Sequence, residues 1–234
     1  MKSKDPITSE KWNPLFLFLQ RQNVFKNKSF LENWKKLLIE LEKEYLEMSF
    51  PKVSPVQLYP LEFPFNVHNK PLINFKIPIK IPSLIESIKN EELSPETFPI
   101  KVFGTKIHYD TDSAHQHFDK TPIILLKEFI LNGVYVADGN TRVKYAKENN
   151  IPTIQAYKID STFLLDHPSC FITAYHYASY CFLYDIYKFY LYPQKNNYLN
   201  QMDISSELAY IKSTSKFDLA LNSKVYFKNK LPYF

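Results

Sequence analysis

Thr121-Pro122-Ile123-Ile124-Leu125-Leu126, then Asn132-Gly133-Val134-Tyr135-Val136-Ala137-Asp138-Gly139-Asn140-Thr141-Arg142, then Ile151-Pro152-Thr153-Ile154-Gln155-Ala156-Tyr157 form the stretch that decides the fold. Pro122 to Leu126 is an apolar run of strand length, and Asn132-Gly133 is a strong short hairpin signal. Val134 to Ala137 reads as the returning strand. Asp138-Gly139-Asn140 breaks it, and a helix is predicted over about Thr141 to Asn149, followed by a strand over Ile151 to Tyr157. Strand, hairpin, strand, turn, helix, strand is the order of an α+β domain with a small mixed sheet.

The junction Asp138 to Arg142 also carries chemistry. Glycine permits an unusual backbone angle and close approach where the strand ends. The free amides of the helix start carry a partial positive charge and form a ready anion site. Arg142 can add two charge-assisted hydrogen bonds to a phosphate, Thr141 a hydroxyl and Asn140 an amide. A bare phosphate would repel Asp138, so that carboxylate caps the turn or meets a metal or a ribose hydroxyl. The plainer reading is an ordinary strand-to-helix turn with a surface arginine.

Outward from this core, Pro51 to Pro99 holds nine prolines, which excludes long helices. Ile73, Phe75, Ile77, Ile79 and Ile81 alternate with Asn74, Lys76, Pro78 and Lys80, the period of a half-buried strand, and Pro78 places it at an edge. Ser83 to Glu86 has capping-box spacing before a short helix, Leu84 to Lys89. Upstream, Ser29-Phe30-Leu31-Glu32 reads as another capping box. After it, Leu31, Trp34, Leu38, Leu41 and Tyr45 make the apolar stripe of a helix ending near Met48, expected to cover the sheet. Downstream, His167-Pro168-Ser169 reads as an entry turn to a buried, tyrosine-rich helix over Phe171 to Tyr192. Its tyrosines could stack on bases, but the helix has few cations, and core packing is the stronger reading. Three regions result: an N-terminal helical region 1–50, an α+β core 51–160 best defined over 121–160, and a C-terminal aromatic-rich helical region 161–234. The tail from Lys212 to Phe234 gives no assignable pattern.

Composition narrows the function classes. An apolar fraction of 45% with 23% charged residues is that of a folded globular chain. The net charge of +5 comes almost wholly from lysine, since Arg21 and Arg142 are the only arginines. That argues against an extended nucleic-acid-reading surface, which draws on arginine forks, so nucleic acid is an open but unindicated partner. Cys170 and Cys181 lie too far apart along one predicted helix to bridge, which suggests reduced thiols and an intracellular, cytoplasmic protein. The run Leu15 to Leu19 is too short for a signal peptide. His176, Asp185 and Lys188 interrupt the aromatic helix, against a membrane span.

The stretch Pro122 to Asp160, with Val136-Ala137-Asp138-Gly139-Asn140-Thr141-Arg142, Tyr145-Ala146-Lys147 and Ile151-Pro152-Thr153-Ile154, resembles the core of the ParB/sulfiredoxin superfamily. Leu84-Ile85-Glu86-Ser87-Ile88 is similar to that family's early helix. The resemblance implies a phosphate site at the box, with Gly139, Asn140, Thr141 and Arg142 binding a nucleoside triphosphate or diphosphate with Mg2+; Asp138, or a residue of the His108 to Asp119 loop, is the candidate catalytic group that would manage a metal or a proton. It implies a phosphotransferase or nucleotide hydrolase. The alternative is a non-enzymatic nucleotide-switched regulator or partition-type DNA-associated protein, although no helix-turn-helix is visible after Asp160. Asn140 stands where sulfiredoxins carry their nucleophilic cysteine, which argues against sulfinic-acid reduction. Partition proteins carry glutamate and arginine where Asn140 and Thr141 stand, which argues against CTP hydrolysis.

A second cluster lies just upstream. His108, Asp110, Asp112, His115, His117 and Asp119 fall within twelve residues. Imidazole and carboxylate suit a divalent metal, with His115, His117 and Asp119 as candidate ligands, and such a site would favour a metal-dependent nuclease. An exposed polar loop is the competing reading.

Overall fold

The computed structural model describes residues 9–21, 25, 28–48, 57–67, 70–110, 119–129, 133–191 and 204–230. Its elements are α1 (Ser9–Arg21), α2 (Lys28–Glu47), β1 (Leu58–Val67), β2 (Lys70–Lys80), α3 (Ile81–Asn90), β3 (Glu96–Pro99), β4 (Ile107–His108), β5 (Ile123–Lys127), β6 (Val134–Asp138), α4 (Asn140–Glu148), β7 (Thr153–Ile159), α5 (Ser161–Asp166), α6 (Ala174–Ile186), α7 (Ile204–Thr214) and α8 (Phe217–Lys230). A π-helical turn, Tyr187–Leu191, extends α6. The protein is mixed α+β, with a five-stranded sheet in the order β3-β7-β5-β6-β4 and a two-stranded sheet of β1 and β2.

The chain divides into two compact units: residues 1–54, 60–78 and 171–234 form one, and residues 55–59 and 79–170 form the other. Both helical ends of the chain thus belong to a single unit.

In the sheet unit, β5 pairs antiparallel with β6 and parallel with β7, while β3 joins β7 antiparallel and β4 joins β6 parallel. The expected β5–β6 hairpin is present. Its closing bond runs from Glu128 N to Gly133 O, so the connection is longer than a two-residue turn. Phe103, Ile107, Ile123, Leu125, Val136, Val143, Ile154 and Ala156 pack as the core beneath α4. Helix α4 ends where Asn150 turns left-handed, at φ +54°, and Ile151 N bonds back to Ala146 O, which satisfies a carbonyl the helix would leave open. Helix α3 ends the same way, with Glu92 at φ +52° and Leu93 N bonded to Ile88 O. It begins at Ile81 with a proline in its first turn and no side-chain cap, two residues ahead of the box read at Ser83 to Glu86. Proline is tolerated there because the first amides have no partner in the helix anyway.

In the helical unit, α2 begins at Lys28, so Ser29 lies inside the helix rather than capping it. Its stripe of Phe30, Leu31, Trp34, Leu37, Leu38 and Leu41 is buried. It packs against α1 and α6. Helix α6 is buried almost all round, and its neighbours interlock through rings: Trp12 stacks on Phe75 at 4.3 Å, and Phe16 stacks on Phe182 at 5.0 Å. Phe75, Ile77 and Ile79 of β2 are buried and Asn74 and Lys76 exposed, as the alternation requires. Among the described residues, no helix is long and apolar enough to cross a membrane.

Candidate functional site

Gly139 sits between β6 and α4 with φ +98° and ψ 21°, a left-handed conformation that glycine adopts without strain. A Cβ there would come within 2.3 Å of Ile123 Cγ2, so the close approach is a second reason for glycine. The turn aims β6 into α4 and places Asp138, Asn140 and Arg142 around one point.

The side chains at that point are bonded to one another. Arg142 Nη2 donates to Asp138 Oδ2 at 2.6 Å, and Nη1 donates to the carbonyls of Thr121 at 2.6 Å and Pro122 at 3.2 Å. Asp119 Oδ1 lies 3.6 Å from the same nitrogen. Gln57 Nε2 donates to the other Asp138 oxygen at 3.0 Å. Asn140 Oδ1 accepts from Asp110 N at 2.8 Å, and its Nδ2 donates to Val136 O at 3.4 Å. Arg142 is only 9% exposed, so its fork is committed to a staple between the start of α4 and the entry to β5. The sequence reading turns that fork toward a phosphate; in the structure its terminal nitrogens face Asp138 and two carbonyls.

The backbone of α4 is different. Helices α5 and α6 engage their first amides with side chains: Asp160 accepts from Thr162 N and Phe163 N, and Thr173 from His176 N. Helix α4 has glycine as its N-cap, which offers no side-chain acceptor, and Asn140 turns its own oxygen to Asp110. Among the described residues, no acceptor meets the amides of Asn140, Thr141 and Arg142. Thr141 is half-buried beside them.

Of the candidate metal cluster, the described residues include His108, Asp110 and Asp119. His115 and His117 lie outside the described residues. Asp119 is exposed and accepts from Thr121 N at 3.0 Å; the Thr121 hydrogen bonds, then the Arg142 charge, hold its carboxyl below the usual carboxylate range. His108 stacks on Tyr135 at 4.8 Å. Among the described residues no three His, Cys, Asp or Glu side chains converge in a way that would hold a metal ion.

Both cysteines are free and buried, Cys170 in a 3-10 turn ahead of α6 and Cys181 within it. Burial pushes the Cys170 thiol up to about 11 and Cys181 well above its usual value, so neither supplies a thiolate at neutral pH. Gln57 is a partner of the box that sequence reasoning missed, and nothing in the proline-rich stretch around it could have signalled it. Compared with known proteins, the chain matches no family profile, no curated protein and no solved structure.

Proposed function

We propose that the sheet unit is a ParB/sulfiredoxin-like module that binds a nucleoside diphosphate or triphosphate through its phosphate at the start of α4. The observation that carries this reading is the α4 N-terminus, where among the described residues no acceptor meets the amides of Asn140 and Thr141, while side chains cap those of α5 and α6. A phosphate supplies that acceptor, and the helix dipole favours its charge. Thr141 would add its hydroxyl. Arg142 then acts as a positioning residue, holding the turn rigid through Asp138 rather than touching the ligand. Asp138, still partly exposed, would meet a ribose hydroxyl or a Mg2+ ion that takes most of its ligands from the phosphates.

The test separates the backbone site from the staple. Thr141→Glu puts a carboxylate over the α4 amides, which suits the helix dipole and leaves Arg142 in place. ATP, ADP, CTP and GTP, each with and without magnesium, are titrated while melting temperature and amide chemical shifts are followed. The expected result is a rise in melting temperature with at least one nucleotide, shifts centred on Asn140 and Thr141, and loss of both in Thr141→Glu. Retention of full nucleotide affinity in a folded Thr141→Glu, or no shift at these amides, would overturn the reading.

A further inference from the structure

We propose that the helical unit holds a second small-molecule site, a cleft that takes a free α-amino acid with an aromatic or branched apolar side chain. The inference is independent of the phosphate reading and uses none of its residues. The cleft has a volume of about 400 Å³ and lies between the first turns of α2 and the elbow where α7 passes into α8. Small-molecule sites occupy about 300–1,000 Å³, so the space is sufficient. Phe30, Ile211 and Phe217 give it apolar walls, while Asn33, Lys212 and Asp218 line it from exposed positions.

The walls are fixed before a ligand arrives. Phe30 meets Phe189 of the π-helical turn edge-on at 5.6 Å, and Phe189 meets Tyr210 of α7 in the same way at 5.8 Å. Phe217 stands perpendicular to Trp34 at 5.1 Å. The elbow is tied to α6: Ser215 Oγ donates to Asp185 Oδ2 at 2.5 Å, and Lys216 N donates to Oδ1 and Oδ2 at 2.9 and 3.0 Å. Phe217 N donates to Ser215 Oγ at 3.1 Å, which sets the start of α8. A cleft held in this way loses little freedom on binding.

The polar side chains select the ligand. Asn33, Lys212 and Asp218 offer an amide, a cation and an anion, and among the described residues no hydrogen bond or ion pair engages them. Lys212 stands in the last turn of α7 and Asp218 in the first turn of α8, where each helix dipole favours that charge. A simple anion would be repelled by Asp218, and a simple cation by Lys212. An α-amino acid satisfies both, with its carboxylate to Lys212 and its ammonium to Asp218. Its side chain then lies beside the charges, where the rings of Phe30 and Phe217 can cover it.

L-Phenylalanine is the probe, titrated into the full chain while calorimetry gives affinity and NMR locates the site. L-Alanine lacks the apolar body, N-acetyl-L-phenylalanine lacks the ammonium, and L-phenylalaninamide lacks the carboxylate. Phenylalanine should shift the resonances of Phe30, Ile211 and Phe217. Alanine should bind about tenfold more weakly or worse, as the loss of a buried ring requires. Each blocked form should bind about fivefold more weakly, the upper range for an ion pair at an exposed rim. Lys212→Met should weaken phenylalanine and its N-acetyl form but not the amide form, and Asp218→Asn should weaken phenylalanine and the amide form but not the N-acetyl form. Both positions are exposed, so neither change should disturb folding. Absence of shifts in the cleft, equal affinity for phenylalanine and any of its three relatives, or variants that weaken every ligand alike would overturn the proposal.

Discussion

Arg142 shows how far one side chain can depart from its appearance in a sequence. Its place one turn after Asp138 is readable there, as is the need for glycine between them. The direction of the fork is not, because the carbonyls of Thr121 and Pro122 that receive it arrive only when β5 lies beside α4. Arg142→Ala should therefore do more than remove a surface charge. It leaves Asp138 and two carbonyls without their donor at a part-buried site, and losing charge-assisted hydrogen bonds of this kind costs about 1.5–3 kcal/mol. Urea denaturation should show that loss, and Arg142→Lys should recover only part of it, since an ammonium cannot serve both sides of the fork. Gly139→Ala carries two penalties, a left-handed backbone and a Cβ against Ile123, and is expected to cost about 2 kcal/mol or more. A variant as stable as wild type would mean the turn has another conformation in solution.

Elements with a strong period are legible in the sequence, and elements held by their surroundings are not. The stripe of α2 and the alternation of β2 follow from residue spacing alone, so the amino-acid order suffices to find both. Helices α7 and α8 carry little one-sided apolar pattern, and the break between them is held by Ser215 and Asp185, which the residues of the tail do not announce. Helix ends depend on local backbone geometry, which explains the shift of α3 from Leu84 to Ile81. The left-handed ends of α3 and α4 give an element-level test. Glu92 holds φ +52° with a full side chain, which costs about 1–2 kcal/mol relative to glycine at such a position. Glu92→Gly should raise the urea midpoint, with the gain reduced by the added freedom of the unfolded glycine. Asn150→Gly should gain less, because asparagine already tolerates the left-handed region.

Across the molecule, two buried groups on α6 set opposing responses to pH. Burial drives the His176 imidazole down to about 4 from its ordinary 6.5, while its Nδ1 meets the hydroxyl of Thr173 at 2.9 Å. The unfolded chain binds that proton first, so the stability from neutral His176 is present above 6.5 and lost as pH falls toward 4. Asp185 runs the other way, gaining stability as pH falls from 7 toward 3.8. The two effects oppose each other between about pH 4 and 6.5. His176→Gln removes one of them, so as pH is lowered through that window its unfolding free energy should gain relative to wild type. Parallel curves would show that the imidazole is not buried neutral. The division of the chain has a further consequence, for birth rather than equilibrium. The sheet unit is nearly continuous from 79 to 170, whereas Trp12 must wait for Phe75, Tyr175 and Phe182 before its ring is enclosed. On a ribosome adding about 5–20 residues per second, α1 and α2 therefore spend many seconds without the helix that covers them. The sheet unit can close first, and α1 and α2 are covered only when α6 emerges.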